Sequence, residues 1–196
     1  MVEIDIGHVL RPKEGENSCG DSILVHCFPQ IIRLAVIDGL GHGPEAAQAA
    51  AEAKKTLTST ETLGGQELIS QCHNKLMGTR GAVVGVVDLD KSQNMWRGIS
   101  LGNISIAFYG QEHYLPATNG GIVGYNLPTR LVSWSRPYSP GQILIMHSDG
   151  IHNLAGLGEL LAPTGGLGKA QAQHLAESIA VGYGKIEDDL AILVAK

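Results

Sequence analysis

Asp21, Asp38, Asp149 and the pair Asp188-Asp189 share one context: each stands at the end of a stretch patterned as a β-strand. Asp21 follows Cys19-Gly20 and opens such a stretch. Asp38 closes an apolar run and precedes Gly39, and Asp149 does the same before Gly150. Asp188 and Asp189 immediately precede the last apolar run. A carboxylate at a strand end projects from a rigid sheet into the cleft at that edge. Several of them converging would repel one another strongly unless cations stood between them. An all-oxygen donor set suits hard divalent ions such as Mg²⁺ or Mn²⁺. The glycine that follows leaves the backbone open, so a carbonyl could join the ligands.

Taken singly, these positions say less. An Asp-Gly pair is most often a turn, and a lone Asp often caps one. Asp188-Asp189 alone reads as a solvated loop. The string Asp38-Gly39-Leu40-Gly41-His42-Gly43 is more specific, because it sits between an apolar strand and a helix. It could also cradle a phosphate at a helix N-terminus. It lacks, however, the Lys-Ser/Thr of a P-loop and the spacing of a dinucleotide site. His147 and His152 flank Asp149, but no third ligand at tetrahedral spacing accompanies them, which disfavours zinc. Ser18 and Ser148 have no nucleophile-elbow context. Arg11, Arg33 and Arg136 cannot be assigned to a substrate phosphate, and each reads as a surface charge.

The elements that must position these groups follow from periodicity. Alternation over 2–6 predicts a half-buried strand, and 11–20 reads as a polar turn. Strands are expected over 22–28 and 31–37, the second apolar enough to lie inside a covered sheet. Pro44 suits a first helical turn, and the Ala, Glu and Lys content of 46–57 predicts a helix. A second amphipathic helix is expected over 66–77. Strands then read over 82–89 and 95–101, with a hairpin of 104–109 and 112–116, a Gly-rich loop over 118–124, and strands over 130–135 and 142–147. A last helix over 169–181 and a last strand over 189–194 close the chain. This order lacks the alternation of a parallel α/β sheet. It predicts an α+β fold, with stacked antiparallel sheets and helices outside.

Composition bounds the rest. With 196 residues, 43% of them hydrophobic and 17% charged, the chain suits one globular domain spanning 1–196. The net charge of −5 argues against a nucleic-acid partner. Three cysteines without a C-x-x-C pair make a disulfide framework unexpected and point to a reducing, cytoplasmic setting. The start has no signal-peptide pattern. No apolar run approaches the roughly 18 residues that span a bilayer, so no membrane partner is expected.

The string Asp38 to Gly43 resembles the Asp-Gly-x-Gly-His-Gly signature of bacterial type 2C-like serine/threonine phosphatases, the PPM superfamily. Gly20-Asp21 resembles that family's early Gly-Asp motif, Ser148-Asp149-Gly150 its late Ser-Asp-Gly motif, and Glu187-Asp188-Asp189-Leu190 its terminal Asp-Asp/Asn motif. They stand in family order over nearly the whole chain. The resemblance implies a central β-sandwich of two antiparallel sheets flanked by helices, an αββα four-layer arrangement. It also implies two Mn²⁺ or Mg²⁺ ions. By motif position Asp38 would bridge them and Gly39 would offer its carbonyl. Asp149 and Asp188 would hold one ion, and Asp21 would help to hold the other. Asp189 falls where the family often has Asn and would stand behind the ligands. His42 would support its loop by hydrogen bonding. Asp38, Asp149 and Asp188 would thus carry catalysis, through a water activated between the ions and without a covalent enzyme intermediate.

Within the superfamily the chain is most like the small stand-alone RsbX-type phosphatases. These act on phosphoserine and phosphothreonine of STAS-domain proteins in the stressosome, a bacterial stress-signalling complex. Ala191 departs from the pattern, since many relatives carry Thr there. A catalytically silent relative that binds phosphoproteins without turnover is the alternative. A nucleotide-binding switch built on the Gly-rich loop is disfavoured by the missing P-loop lysine.

Overall fold

The computed structural model describes residues 4–59, 61, 65–110, 112–152, 154, 157, 161 and 171–196. Five strands, β2 (Asp21–Cys27), β3 (Ile31–Gly39), β4 (Ala82–Asp90), β5 (Met95–Leu101) and β7 (Trp134–Pro137), form one sheet in the order β2-β3-β4-β5-β7. β1 (Ile6–Arg11), β6 (Ser105–Tyr109), β8 (Ile143–His147) and β9 (Leu190–Ala195) form the other, in the order β1-β9-β8-β6. Every pairing is antiparallel. Three helices belong to the described residues: α1 (Pro44–Thr58), α2 (Gly65–Leu76) and α3 (Ala172–Tyr183).

Side-chain alternation builds the layers. Along β3, Leu34 and Val36 point between the sheets, while Ala35 and Ile37 point at α1 and α2. Along β9, Ala191 and Leu193 face the sandwich interior, while Ile192 and Val194 face α3. Strands with apolar residues on both faces must be covered twice. The result is the four-layer αββα arrangement expected from the sequence.

Three expectations fail locally. The opening strand runs over Ile6–Arg11 rather than 2–6, because its register is set by β9, from Ile6↔Ala195 to Arg11↔Leu190; residues 1–3 lie outside the described residues. Residues 112–116 form no strand: only Tyr114 pairs with Phe108, by reciprocal backbone bonds of 2.9 and 3.0 Å. The strand expected over 130–135 starts at Trp134. The amide of Asn119 is the reason, since its Oδ1 accepts from Val132 N at 2.7 Å and its Nδ2 donates to Val132 O at 2.9 Å. That side chain takes the place of a partner strand. Residues 169 and 170 of the expected last helix lie outside the described residues.

Arg33 is not a surface charge. It is fully buried opposite its register partner Asp88, and its Nε and Nη2 donate to the two carboxylate oxygens at 2.8 Å each. Nη1 donates to Leu57 O at the end of α1, at 2.9 Å. The fork joins β3, β4 and α1 across the helix-facing layer. Arg136 lies at the sandwich edge, with its guanidinium 4.8 Å from the Phe108 ring and 4.6 Å from that of Tyr114. Arg11 donates to Lys185 O.

Candidate metal centre

One end of the sandwich gathers the carboxylates. Asp21 and Asp38 are register partners where β2 begins and β3 ends. Asp149 follows β8, and Asp188 and Asp189 precede β9 in the other sheet. Asp38, Asp149 and Asp188 line a cleft of about 580 Å³ between the sheets, together with Gly41, His42 and Asn103. Asp21 and Asp189 are buried behind it.

Glycines make this convergence possible. A Cβ at Gly39 would lie 2.2 Å from Ala46 O, so the first turn of α1 rests directly on the strand end. A Cβ at Gly150 would lie 1.9 Å from Asp189 O, so the β8 and β9 ends cross in contact. Gly39 is therefore buried, not open as the sequence suggested, and its N–H donates to Gly20 O at 3.1 Å.

Hydrogen bonds fix the buried carboxylates. Ser148 Oγ donates to Asp21 Oδ2 at 2.5 Å and accepts from Ala191 N at 3.0 Å. Asp189 accepts from Lys13 N at 2.9 Å and Gly20 N at 3.0 Å, which pins the β1–β2 loop. Asp149 Oδ2 accepts from Asn103 Nδ2 at 2.8 Å. His42 Nδ1 lies 2.9 Å from Glu16 Oε1, so the Gly-rich loop is tied to the β1–β2 loop.

Electrostatics describe a site that lacks positive charge. Burial pushes the Asp21 carboxyl up to about 7, opposed by the Ser148 bond and assisted by Asp189, Asp149 and Asp188. Burial also pushes Asp38 up to about 8, with Asp21, Asp149, Asp188 and Asp189 adding repulsion. Asp188 is raised by burial and then by Asp149. Burial lowers His147.

The donor chemistry fits a hard cation: oxygen ligands, mutual repulsion, and no Lys or Arg among the described lining residues. Among the described residues no three His, Cys, Asp or Glu side chains form a closed ligand cage. Carboxylates spread over the ends of both sheets fit Mn²⁺ or Mg²⁺, ions that accept oxygen ligands from several elements.

Sequence reasoning missed three of these partners. Asn103 lies outside any acidic motif, and only the fold brings it to Asp149. Ser148 has no local pattern that marks it as a donor to Asp21. Nothing in the sequence marks Arg80, whose Nη1 would lie 2.8 Å from a Cβ on Gly41, a lining residue.

The fold and site define a PP2C-type phosphatase domain. Residues 29–196 match the family model of Stage II sporulation protein E (SpoIIE), and the chain belongs to that family. A chain of the structure "The bacterial stressosome: a modular system that has been adapted to control secondary messenger signaling" is 37% identical, with a TM-score of 0.91 and complete coverage of both chains. RsbX in complex with magnesium is similar in fold, at a TM-score of 0.84 and 23% identity over 98% of this chain and 94% of that one. A chain holding the PP2C phosphatase domain and a fragment of the regulatory domain of SpoIIE from Bacillus subtilis is similar in fold at a TM-score of 0.78 and 19% identity, over 100% of this chain and 63% of that one. No curated protein matches the sequence. No helix among the described residues is long and apolar enough to cross a membrane.

Proposed function

We propose that residues 1–196 act as one metal-dependent protein serine/threonine phosphatase domain, working in the cytoplasm on phosphorylated STAS-domain proteins of a stressosome. The observation that carries the chemistry is the convergence of Asp38, Asp149 and Asp188 on one cleft, with Asp21 and Asp189 behind it. Asp21, Asp38, Asp149, Asp188 and the Gly39 carbonyl would hold two Mn²⁺ or Mg²⁺ ions. When bound, such ions supply an acidified water and positive charge for the phosphoryl oxygens.

The chain's own residues do the positioning. Asn103 holds Asp149, and Ser148 leaves one Asp21 oxygen, Oδ1, without a role in that bond. Asp189 fixes the Gly20 turn that leads into Asp21. The Glu16–His42 pair sets one margin of the cleft. No side chain is needed as a covalent nucleophile. Buried Cys72 of α2 packs in the core between the helices and the five-stranded sheet, and burial pushes its thiol up to about 12.

The partner reading is supported by the full-length likeness to the stressosome chain, and the metal reading by the likeness to magnesium-bound RsbX. Incubation with phosphorylated STAS-domain proteins and Mn²⁺ tests it. Rapid phosphate release from them is expected, whereas turnover confined to unrelated phosphoproteins would remove the stressosome assignment. The second reading is a PPM-fold protein that binds phosphoproteins without turnover. The intact set Asp21, Asp38, Asp149 and Asp188 counts against it, since a silent relative would be expected to lose at least one of these ligands. Binding without phosphate release in the same assay would favour it.

A further inference from the structure

A substrate phosphate carries negative charge into a cleft walled by carboxylates, and no Lys or Arg is among the described lining residues. Of the arginines placed above, Arg33 is committed to Asp88 and Leu57 O, and Arg136 to two aromatic rings. Arg80 is different. It is exposed in the turn between α2 and β4, and Glu45 in the first turn of α1 accepts from its Nε at 2.6 Å and lies 2.5 Å from its Nη2.

Both contacts use the one oxygen Oε2, and they leave Nη1 without a hydrogen bond among the described residues. Nη1 instead stands over Gly41, where a Cβ would lie 2.8 Å away. Gly41 has φ +85° and lines the cleft, so the bare backbone is what lets the guanidinium reach this wall. The neighbouring Gly81 packs on Ile122, another lining residue, where a Cβ would meet Ile122 Cγ2 at 2.9 Å. Arg80 therefore lies beside the cleft, next to its lining residue Gly41 and one residue from the Gly81–Ile122 contact.

An exposed ion pair adds little to stability, so stability gives Glu45 and Arg80 little reason to be matched. Orientation gives a better one. A guanidinium held by Nε and Nη2 presents its remaining N–H groups in a fixed direction, the geometry that suits phosphate oxygens. We propose that Arg80, oriented by Glu45, binds the phosphoryl group of the substrate at the mouth of the cleft. This rests on the phosphatase reading above.

The test uses the full chain with Mn²⁺ and compares wild type, Arg80→Ala and Arg80→Lys. Three quantities are read: KM and kcat on a phosphoserine peptide, the affinity for inorganic phosphate by calorimetry, and the affinity for Mn²⁺ by calorimetry. A charge-assisted bond to phosphate predicts that Arg80→Ala raises KM about tenfold to a hundredfold and weakens phosphate binding to match. Mn²⁺ affinity should not change, and Arg80→Lys should recover part of the loss. If KM and phosphate affinity are both unchanged in Arg80→Ala, Arg80 is a surface ion pair and the proposal is wrong. If wild type shows no turnover, the phosphatase reading fails by itself. Phosphate affinity then still decides for or against Arg80.

Discussion

Ser148 Oγ and Asp21 Oδ2 lie 2.5 Å apart, across the join between the two sheets. The hydroxyl also accepts from Ala191 N, so one small side chain links β2, β8 and β9 at the point where the carboxylates meet. Asp21 is buried and its pKa already stands near 7 with this bond in place.

Ser148→Ala removes that donor and leaves a buried carboxyl without it. We expect a stability loss of about 1–3 kcal/mol, read from denaturant unfolding. Mn²⁺ affinity should fall as well, since Asp21 would bind its proton more tightly. A variant with wild-type stability and metal affinity would show that the bond positions nothing.

Asp189→Ala frees Lys13 N and Gly20 N together. The β1–β2 loop should loosen, with faster hydrogen exchange across 12–20. Groups that orient ligands typically cost about tenfold to a hundredfold in metal affinity when removed. Unchanged exchange and unchanged Mn²⁺ binding would place Asp189 outside the site's support.

These two predictions concern groups whose partners lie far apart in the chain, and that marks the boundary of what was legible. Periodicity places β5 to the residue, and β2, β3, β4, α1 and α2 within about two residues, because each carries a long apolar period with Gly or Pro near its ends. β7 was misplaced because Asn119 bonds Val132 in place of a strand, and a single amide leaves no periodic trace. β1 was shifted because its register belongs to β9. The acidic positions were visible through their glycines. Asn103, the Ser148–Asp21 bond and the Arg80–Glu45 pair exist only through packing. Arg33 looked like a surface charge for the same reason, since its partner Asp88 lies on another strand.

Asp88→Ala should be the most damaging substitution away from the cleft. It strands the Arg33 guanidinium in the helix layer, and breaking a buried pair costs about 3–5 kcal/mol. Folded protein that remains at low temperature should keep its activity per molecule. Loss of activity without loss of stability would mean that this pair acts on the site.

The raised carboxyls make stability depend on pH. Asp21 and Asp38 have folded pKa values of about 7 and 8, above the ordinary carboxyl value, so the metal-free folded state holds protons that the unfolded chain has released. Their contribution is therefore greatest below the unfolded pKa and is lost as pH rises through about 7 to 8. With chelator present, the melting temperature should be several degrees higher near about pH 5 than near about pH 8.5. Mn²⁺ should abolish or reverse that trend, because binding displaces these protons and tightens with pH. A chelated protein that becomes more stable toward pH 8.5 would contradict the electrostatics described above.

In the proposed function the carboxylates on this cleft hold the ions that make the chain a phosphatase. Hydrolysis of a small aryl phosphate, titrated with Mn²⁺ for wild type and for Asp38→Asn, decides whether they do. The expected result is turnover that rises with Mn²⁺ in wild type, stops with chelator, and is lost in Asp38→Asn while that variant still melts cooperatively. Full activity in Asp38→Asn, or no metal-stimulated turnover by folded wild type on this substrate or on any phosphoserine peptide, would contradict it.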